Sequence, residues 1–110
     1  MQFEVKKNGT AIVLKVKERK LDASVSPELK GEFLILCTPQ TKELVIDLSD
    51  VDFCDSSGLS ALLIAERKMR EHSGVVKLAG MNKKVHSLIK ISHLDRAFRI
   101  FDSVAKAVKS

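Results

Sequence analysis

The run LVIDL at residues 44–48, followed after a short loop by DSSGL at residues 55–59, decides the fold of this chain. The first segment is almost continuously apolar, which is typical of a central strand covered on both faces. The second segment stands at the start of a helix, which is predicted from the spacing of Leu59, Leu62, Leu63 and Met69. A strand that passes through a polar turn into a helix indicates a β-α unit.

The sequence before this unit predicts a hairpin and a helix. Asn8-Gly9 is a strong turn signal because both residues tolerate positive φ, so the strands at 3–5 and 10–16 are expected to pair antiparallel. Ser26-Pro27 predicts the N-cap and first turn of a helix, and Pro39 predicts its end.

The sequence after this unit continues to alternate between strands and helices. Ser73-Gly74 is a stop signal for the central helix, and it is followed by expected strands at 75–79 and 98–101, a helix capped by Asn82, and a last helix at 102–109 capped by Asp102 or Ser103. The order β-β-α-β-α-β-α-β-α predicts one α/β domain over residues 1–110. We expect a single open, mixed but mostly parallel sheet of four to five strands with packed helices.

Composition and charge narrow the classes of function. Lys and Arg number 19 against 14 Asp and Glu, a net charge of +5 that is spread along the chain and mainly indicates solubility. A weakly basic face for an acidic partner remains open. Trp and Tyr are absent and no reading motif is present, which disfavours direct nucleic-acid binding.

The cysteines and histidines give no sign of a metal site or a cofactor. Cys37 and Cys54 lie in apolar surroundings and are expected to be buried thiols, while the histidines have no zinc-ligand spacing. We expect no cofactor. Neither a signal peptide nor a membrane span is recognisable, so a cytoplasmic protein is expected.

Three interpretations of Asp55-Ser56-Ser57-Gly58 are open on pattern alone. The acid and hydroxyls can cap the helix, with Gly58 relieving crowding at its entry. A serine nucleophile is disfavoured because G-x-S-x-G is missing and no histidine is placed by sequence to act as its base. A phosphoacceptor is the third interpretation, since in open sheets partners meet the carboxyl ends of strands, where this stretch lies.

These residues resemble the signature of the STAS domain family, which includes bacterial anti-sigma-factor antagonists. The similarity extends over essentially the whole chain, through the segments at 21–24, 27–29, 45–48, 51–59, 75–80, 82–94 and 98–103. The resemblance implies a regulatory protein that is not an enzyme. The unphosphorylated protein would bind an anti-sigma factor that is itself a serine kinase. Phosphorylation of Ser56 by this kinase would end the binding, and a serine phosphatase would restore it.

The resemblance also implies roles for neighbouring residues. Asp22 is similar to the family's loop aspartate beside the phosphorylation site, although an Asx-type turn is the alternative. Asp55, Ser57 and Gly58 are the other expected partner-binding residues, with Ser57 mainly a cap. Arg19-Lys20 stand where family members usually have Gly-Glu, which bears on partner choice. The alternatives are a STAS subunit of a lipid-transport ABC complex and a small serine hydrolase.

Overall fold

The computed structural model describes all residues from 1 to 110, which form seven strands and four helices. The strands are β1 (Phe3–Asn8), β2 (Ala11–Val16), β3 (Lys20–Leu21), β4 (Glu43–Asp47), β5 (Phe53–Cys54), β6 (Val75–Ala79) and β7 (Arg99–Phe101). The helices are α1 (Ser26–Leu36), α2 (Ser56–Arg70), α3 (Lys83–Ile91) and α4 (Val104–Lys109), and a 3-10 turn at Leu94–Arg96 precedes β7.

The main sheet has five strands in the order β1-β2-β4-β6-β7. Only β1 and β2 pair antiparallel, and the other three pairs are parallel. Gly9 has a φ of +63° in the turn between β1 and β2, which explains why Asn8-Gly9 predicted the hairpin correctly. The predicted α/β architecture with a mixed, mostly parallel sheet is therefore confirmed.

Both faces of the central strand β4 are covered, as its apolar run predicted. Leu44 and Ile46 join the larger core, to which α1, α2 and α3 contribute their buried side chains. Val45 faces the other way and packs with Ala79 and Ala107 of α4. The helices α1–α3 and the helix α4 thus lie on opposite faces of the sheet.

A second, two-stranded sheet was not predicted. In it β3 and β5 pair in parallel, with Lys20 opposite Phe53 and Leu21 opposite Cys54. This small sheet positions the loops that lead into α1 and α2.

One predicted helix cap, at Ser26, needs correction, and the structure decides between the two caps predicted for α4. Ser26 is not an N-cap: it is the first residue of α1, it is buried, and its hydroxyl donates to the Ser57 carbonyl oxygen at 2.9 Å. The α1 helix ends at Leu36, before Pro39, because the backbone of Cys37 leaves the helical region at a ψ of 63°. The Cys37 N–H still makes a last helical bond, to the Phe33 carbonyl oxygen. For α4 the cap is Ser103, whose hydroxyl accepts from the Lys106 N–H, and not Asp102.

Lys77 of β6 is a charged side chain inside the fold, only 2% exposed. Its ammonium forms an ion pair with Glu43 and donates to the Ala107 and Ser110 carbonyl oxygens at 2.8 and 3.1 Å. These carbonyls belong to the end of α4, where helix C=O groups have no backbone partner within the helix. Lys77 therefore fastens α4 to the sheet.

Candidate functional site

Asp55 forms the N-cap of α2, at the point where β5 ends. Its backbone is extended, and its Oδ1 accepts hydrogen bonds from the Ser57 and Gly58 N–H groups at 2.9 and 3.1 Å. The predicted capping is thus real, but Asp55 performs it and the Ser57 hydroxyl does not. Ser57 contributes its carbonyl oxygen, which the Ser26 hydroxyl holds.

Replacing Asp55 with alanine is expected to lower the free energy of unfolding by about 1 kcal/mol, since two N–H groups at the start of α2 lose their acceptor. Asparagine keeps a capping oxygen, so Asp55→Asn should cost only a fraction of that amount. Urea unfolding followed by circular dichroism measures both. Equal losses in the two variants would contradict a capping role.

Gly58 stands where two segments approach the first turn of α2 too closely for a side chain. A Cβ at this position would lie 2.4 Å from the Leu21 carbonyl oxygen and 2.7 Å from Cys54 Sγ. Gly58 is buried. It therefore acts through the close packing of α2 on β3 and β5, which fixes the position of the serines before it.

Ser56 is the first residue of α2, and its side chain is exposed. No hydrogen bond within the protein involves its hydroxyl, in contrast to the Ser26 hydroxyl, which is buried and bonded to Ser57. An exposed, unpaired hydroxyl at a helix start can accept a substituent without any local unfolding. The helix N-terminus also favours negative charge at this place.

A polar cleft lies between the starts of α1 and α2. We call it the serine cleft; it has a volume of about 320 Å³ and is lined mainly by Ser26, Lys30, Ser56, Ser57 and Ser60. Lys30 is its single charged lining residue. Ser56 thus opens onto a pocket without carboxylates.

A second, apolar cleft lies between β5 and α3. It has a volume of about 260 Å³, and its apolar lining residues are Phe53, Cys54, Val85, Leu88 and Ile91. Phe53 is 41% exposed and Ile91 75% exposed, so both present apolar surface at this cleft. This cleft was not predicted from the sequence, although Ile91 was a signal for it, because it stands outside the apolar stripe that Val85, Leu88 and Ile89 form on α3.

Asp22 lies in the loop between β3 and α1 and is half-buried. Its Oδ1 accepts from the Ser24 hydroxyl at 2.6 Å and from the Ser24 N–H at 3.0 Å, which is the Asx-type turn considered from sequence. These hydrogen bonds lower the pKa of the Asp22 carboxyl below its usual value. The Asp55 N–H donates to the Leu21 carbonyl oxygen, so this loop is tied to the start of α2.

Arg19 and Lys20 differ in their surroundings. The Arg19 guanidinium binds one carboxylate oxygen of Asp52 through Nε at 2.8 Å and Nη2 at 2.6 Å. Lys20 is exposed, forms no ion pair, and lies opposite Phe53 in the small sheet. Of the two positive residues noted in the sequence, Lys20 is the one whose charge is free at this surface.

The cysteines and histidines lie in structural positions. Cys37 and Cys54 are free thiols, both buried as predicted, and burial raises the pKa of each to about 11. His72, near the end of α2, has its Nε2 2.8 Å from the Thr41 carbonyl oxygen. No hydrogen bond joins a histidine to Ser56 or Ser57, so the serine-nucleophile interpretation lacks a base.

The fold contains neither a metal-binding cluster nor a membrane-crossing helix. No group of three or more His, Cys, Asp or Glu side chains is arranged to hold a metal ion. None of the four helices combines the length and the apolar character that crossing a membrane requires.

The chain was compared with known proteins by sequence and by fold, and the sequence matches a known family. The family model described as "STAS domain" matches residues 2–107. An anti-sigma F factor antagonist of Paenibacillus polymyxa is 29% identical over 69 residues, which cover 63% of this chain and 59% of the relative. An anti-sigma-B factor antagonist of Listeria monocytogenes is 24% identical over 100 residues, 91% of this chain and 88% of the relative.

Among solved structures, the Bacillus cell fate determinant SpoIIAA in its phosphorylated form has a similar fold. The TM-score is 0.77 at 14% sequence identity, and the match covers 98% of this chain and 97% of that one. At this identity the likeness concerns the fold alone.

Proposed function

The chain belongs to the STAS domain family, and we propose that it is an anti-sigma-factor antagonist whose binding to an anti-sigma factor is controlled by phosphorylation of Ser56. In this proposal the anti-sigma factor is also the serine kinase, and a serine phosphatase reverses the modification. The protein itself acts by binding and not by catalysis. The names of the curated relatives support the antagonist role.

The observation that carries the proposal is the position of the Ser56 hydroxyl. It is exposed at the first residue of α2, free of hydrogen bonds within the protein, and opens onto the serine cleft. The apolar cleft is lined by Phe53 and Cys54, which come just before Ser56 in the chain. A kinase can reach this hydroxyl without unfolding the protein. A partner seated on the apolar cleft would lie beside it.

Phosphorylation would act on the interface more than on the fold. A phosphate adds about −1.5 to −2 charges at neutral pH. The N–H groups at the start of α2 stabilise this charge, while the Asp55 carboxylate repels it, so the two effects on stability oppose each other. A docked partner, in contrast, would bury a dianion against its own surface, which weakens binding.

The partner-binding residues expected from sequence divide into two kinds in this proposal. Asp22, Asp55 and Ser57 retain some exposure, so a partner can contact them. The hydrogen bond from the Asp55 N–H to the Leu21 carbonyl oxygen holds the Asp22 loop against the start of α2. Gly58 is buried, so we assign it the role of holding α2 in place. Phe53 and Ile91 supply exposed apolar surface for the same partner.

The proposal predicts that Ser56→Asp weakens binding to the cognate anti-sigma factor at least tenfold, because it puts a permanent negative charge in the interface. Ser56→Ala is the matched control and should bind like the unmodified protein. Isothermal titration calorimetry gives the affinities, and circular dichroism should show an unchanged fold. Equal affinities of the two variants would contradict the proposal, as would co-purification with a transporter ATPase in place of an anti-sigma factor.

A further inference from the structure

We propose that Lys30 receives the phosphate of phosphorylated Ser56, so that the modified side chain turns into the serine cleft. This inference rests on the proposed function, since it concerns the phosphorylated form of Ser56. Lys30 has this role only when Ser56 is phosphorylated.

The helix geometry places the two residues on facing surfaces. Ser26 and Lys30 are four residues apart on α1, and Ser56 and Ser60 are four residues apart on α2, so each pair shares one helix face. All four residues line the serine cleft. The cleft volume of about 320 Å³ leaves room for a phosphate.

The distribution of charge favours an anion in this cleft. Lys30 is its single charged lining residue, is half-buried, and forms no ion pair with any carboxylate. The nearby carboxylates are engaged elsewhere: Asp55 with the N–H groups of α2 and Asp22 with Ser24. A phosphate on Ser56 would be repelled by Asp55 and attracted by Lys30.

The walls of the cleft are fixed before any phosphate arrives. The Ser26 hydroxyl bonds to the Ser57 carbonyl across the two helices, so their separation is set in the unmodified protein. The Ser60 hydroxyl has no partner within the protein, so it is free to donate to a phosphate oxygen. Little reorganisation is therefore needed to hold the modified side chain.

The second pKa of the phosphate measures this contact directly. The experiment uses the full-length protein with phosphoserine incorporated at position 56 during translation, so that no kinase is required, and follows the phosphate by phosphorus NMR across its titration. A neighbouring cation favours the dianion, so Lys30→Gln should raise this pKa by about 0.2 to 0.7 units, the size expected for a solvent-accessible ion pair.

Two further variants test whether the pKa of the phosphate responds to Lys30 itself or to any change in the net charge of the protein. Lys30→Arg should keep the pKa of the phosphoprotein near that of the parent protein. Lys90→Gln removes the same charge from the exposed surface of α3 and should leave it unchanged. An unchanged pKa in Lys30→Gln, or an equal shift in Lys90→Gln, would overturn the inference. Failure of a kinase to modify Ser56 would count against the proposed function and would not alter this result.

Discussion

Gly58→Ala is expected to lower the free energy of unfolding by about 1–3 kcal/mol, the usual cost of forcing an extra methyl group into a packed site. The new Cβ would meet the Leu21 carbonyl oxygen at 2.4 Å and Cys54 Sγ at 2.7 Å. Leu21 cannot move freely, because that same carbonyl accepts the Asp55 N–H and because β3 is paired with β5. The clash should therefore prevail over the ~1 kcal/mol by which helices favour alanine over glycine.

Gly31→Ala is the matched control for this prediction. Gly31 also lies inside a helix, α1, but a Cβ there would have no neighbour within 4 Å. This variant should gain about 0.4–1 kcal/mol, because alanine restricts the unfolded chain and favours the helix. Urea unfolding measures the free energy of unfolding of both variants. If both substitutions raised it, or both lowered it, the close packing around Gly58 would be contradicted.

Lys77→Met is expected to cost about 3 kcal/mol of stability, near the lower end of the range for removing one member of a buried ion pair. The change takes away the donor to the Ala107 and Ser110 carbonyls and leaves Glu43 without its partner. Glu43 keeps 27% of its side chain exposed, and access to water limits the penalty. Because Lys77 holds α4, hydrogen exchange in residues 104–109 should accelerate more than in α2.

Lys106→Met provides the comparison for Lys77. Lys106 also pairs with a carboxylate, Asp102, at 3.3 Å, but its side chain is 67% exposed. Exposed pairs contribute about 0.2–1 kcal/mol, so this variant should remain close to the parent protein. If Lys77→Met were no more destabilising than Lys106→Met, Lys77 would not be the fastening point of α4.

The sequence predicted those parts of the fold that hydrophobic periodicity and turn chemistry control. The run at 44–48 marked a strand covered on both faces, and Asn8-Gly9 marked the hairpin, because each signal is local. The strands β3 and β5 have two residues each, too few to carry a periodic pattern. Ser26 fitted the preference for an N-cap, but tertiary packing turned its hydroxyl toward Ser57.

The candidate site was predicted as a motif but not as a surface. The DSSGL stretch and its place after a strand gave Asp55 and Ser56 their positions at the start of α2. Lys77 was missed because a single lysine within a strand is ordinarily solvated, and its burial depends on α4, which is distant in sequence. The apolar cleft and the serine cleft each join elements from separate parts of the chain, so a local pattern such as the position of Ile91 can indicate only one wall of a cleft.

Phosphosite mapping after incubation with the cognate anti-sigma factor kinase and ATP tests whether Ser56 is the phosphoacceptor. Phosphate is expected on Ser56, Ser56→Ala should abolish the labelling, and only the unmodified protein should remain bound to the kinase. Phosphate on another residue, or labelling that persists in Ser56→Ala, would contradict this role of Ser56.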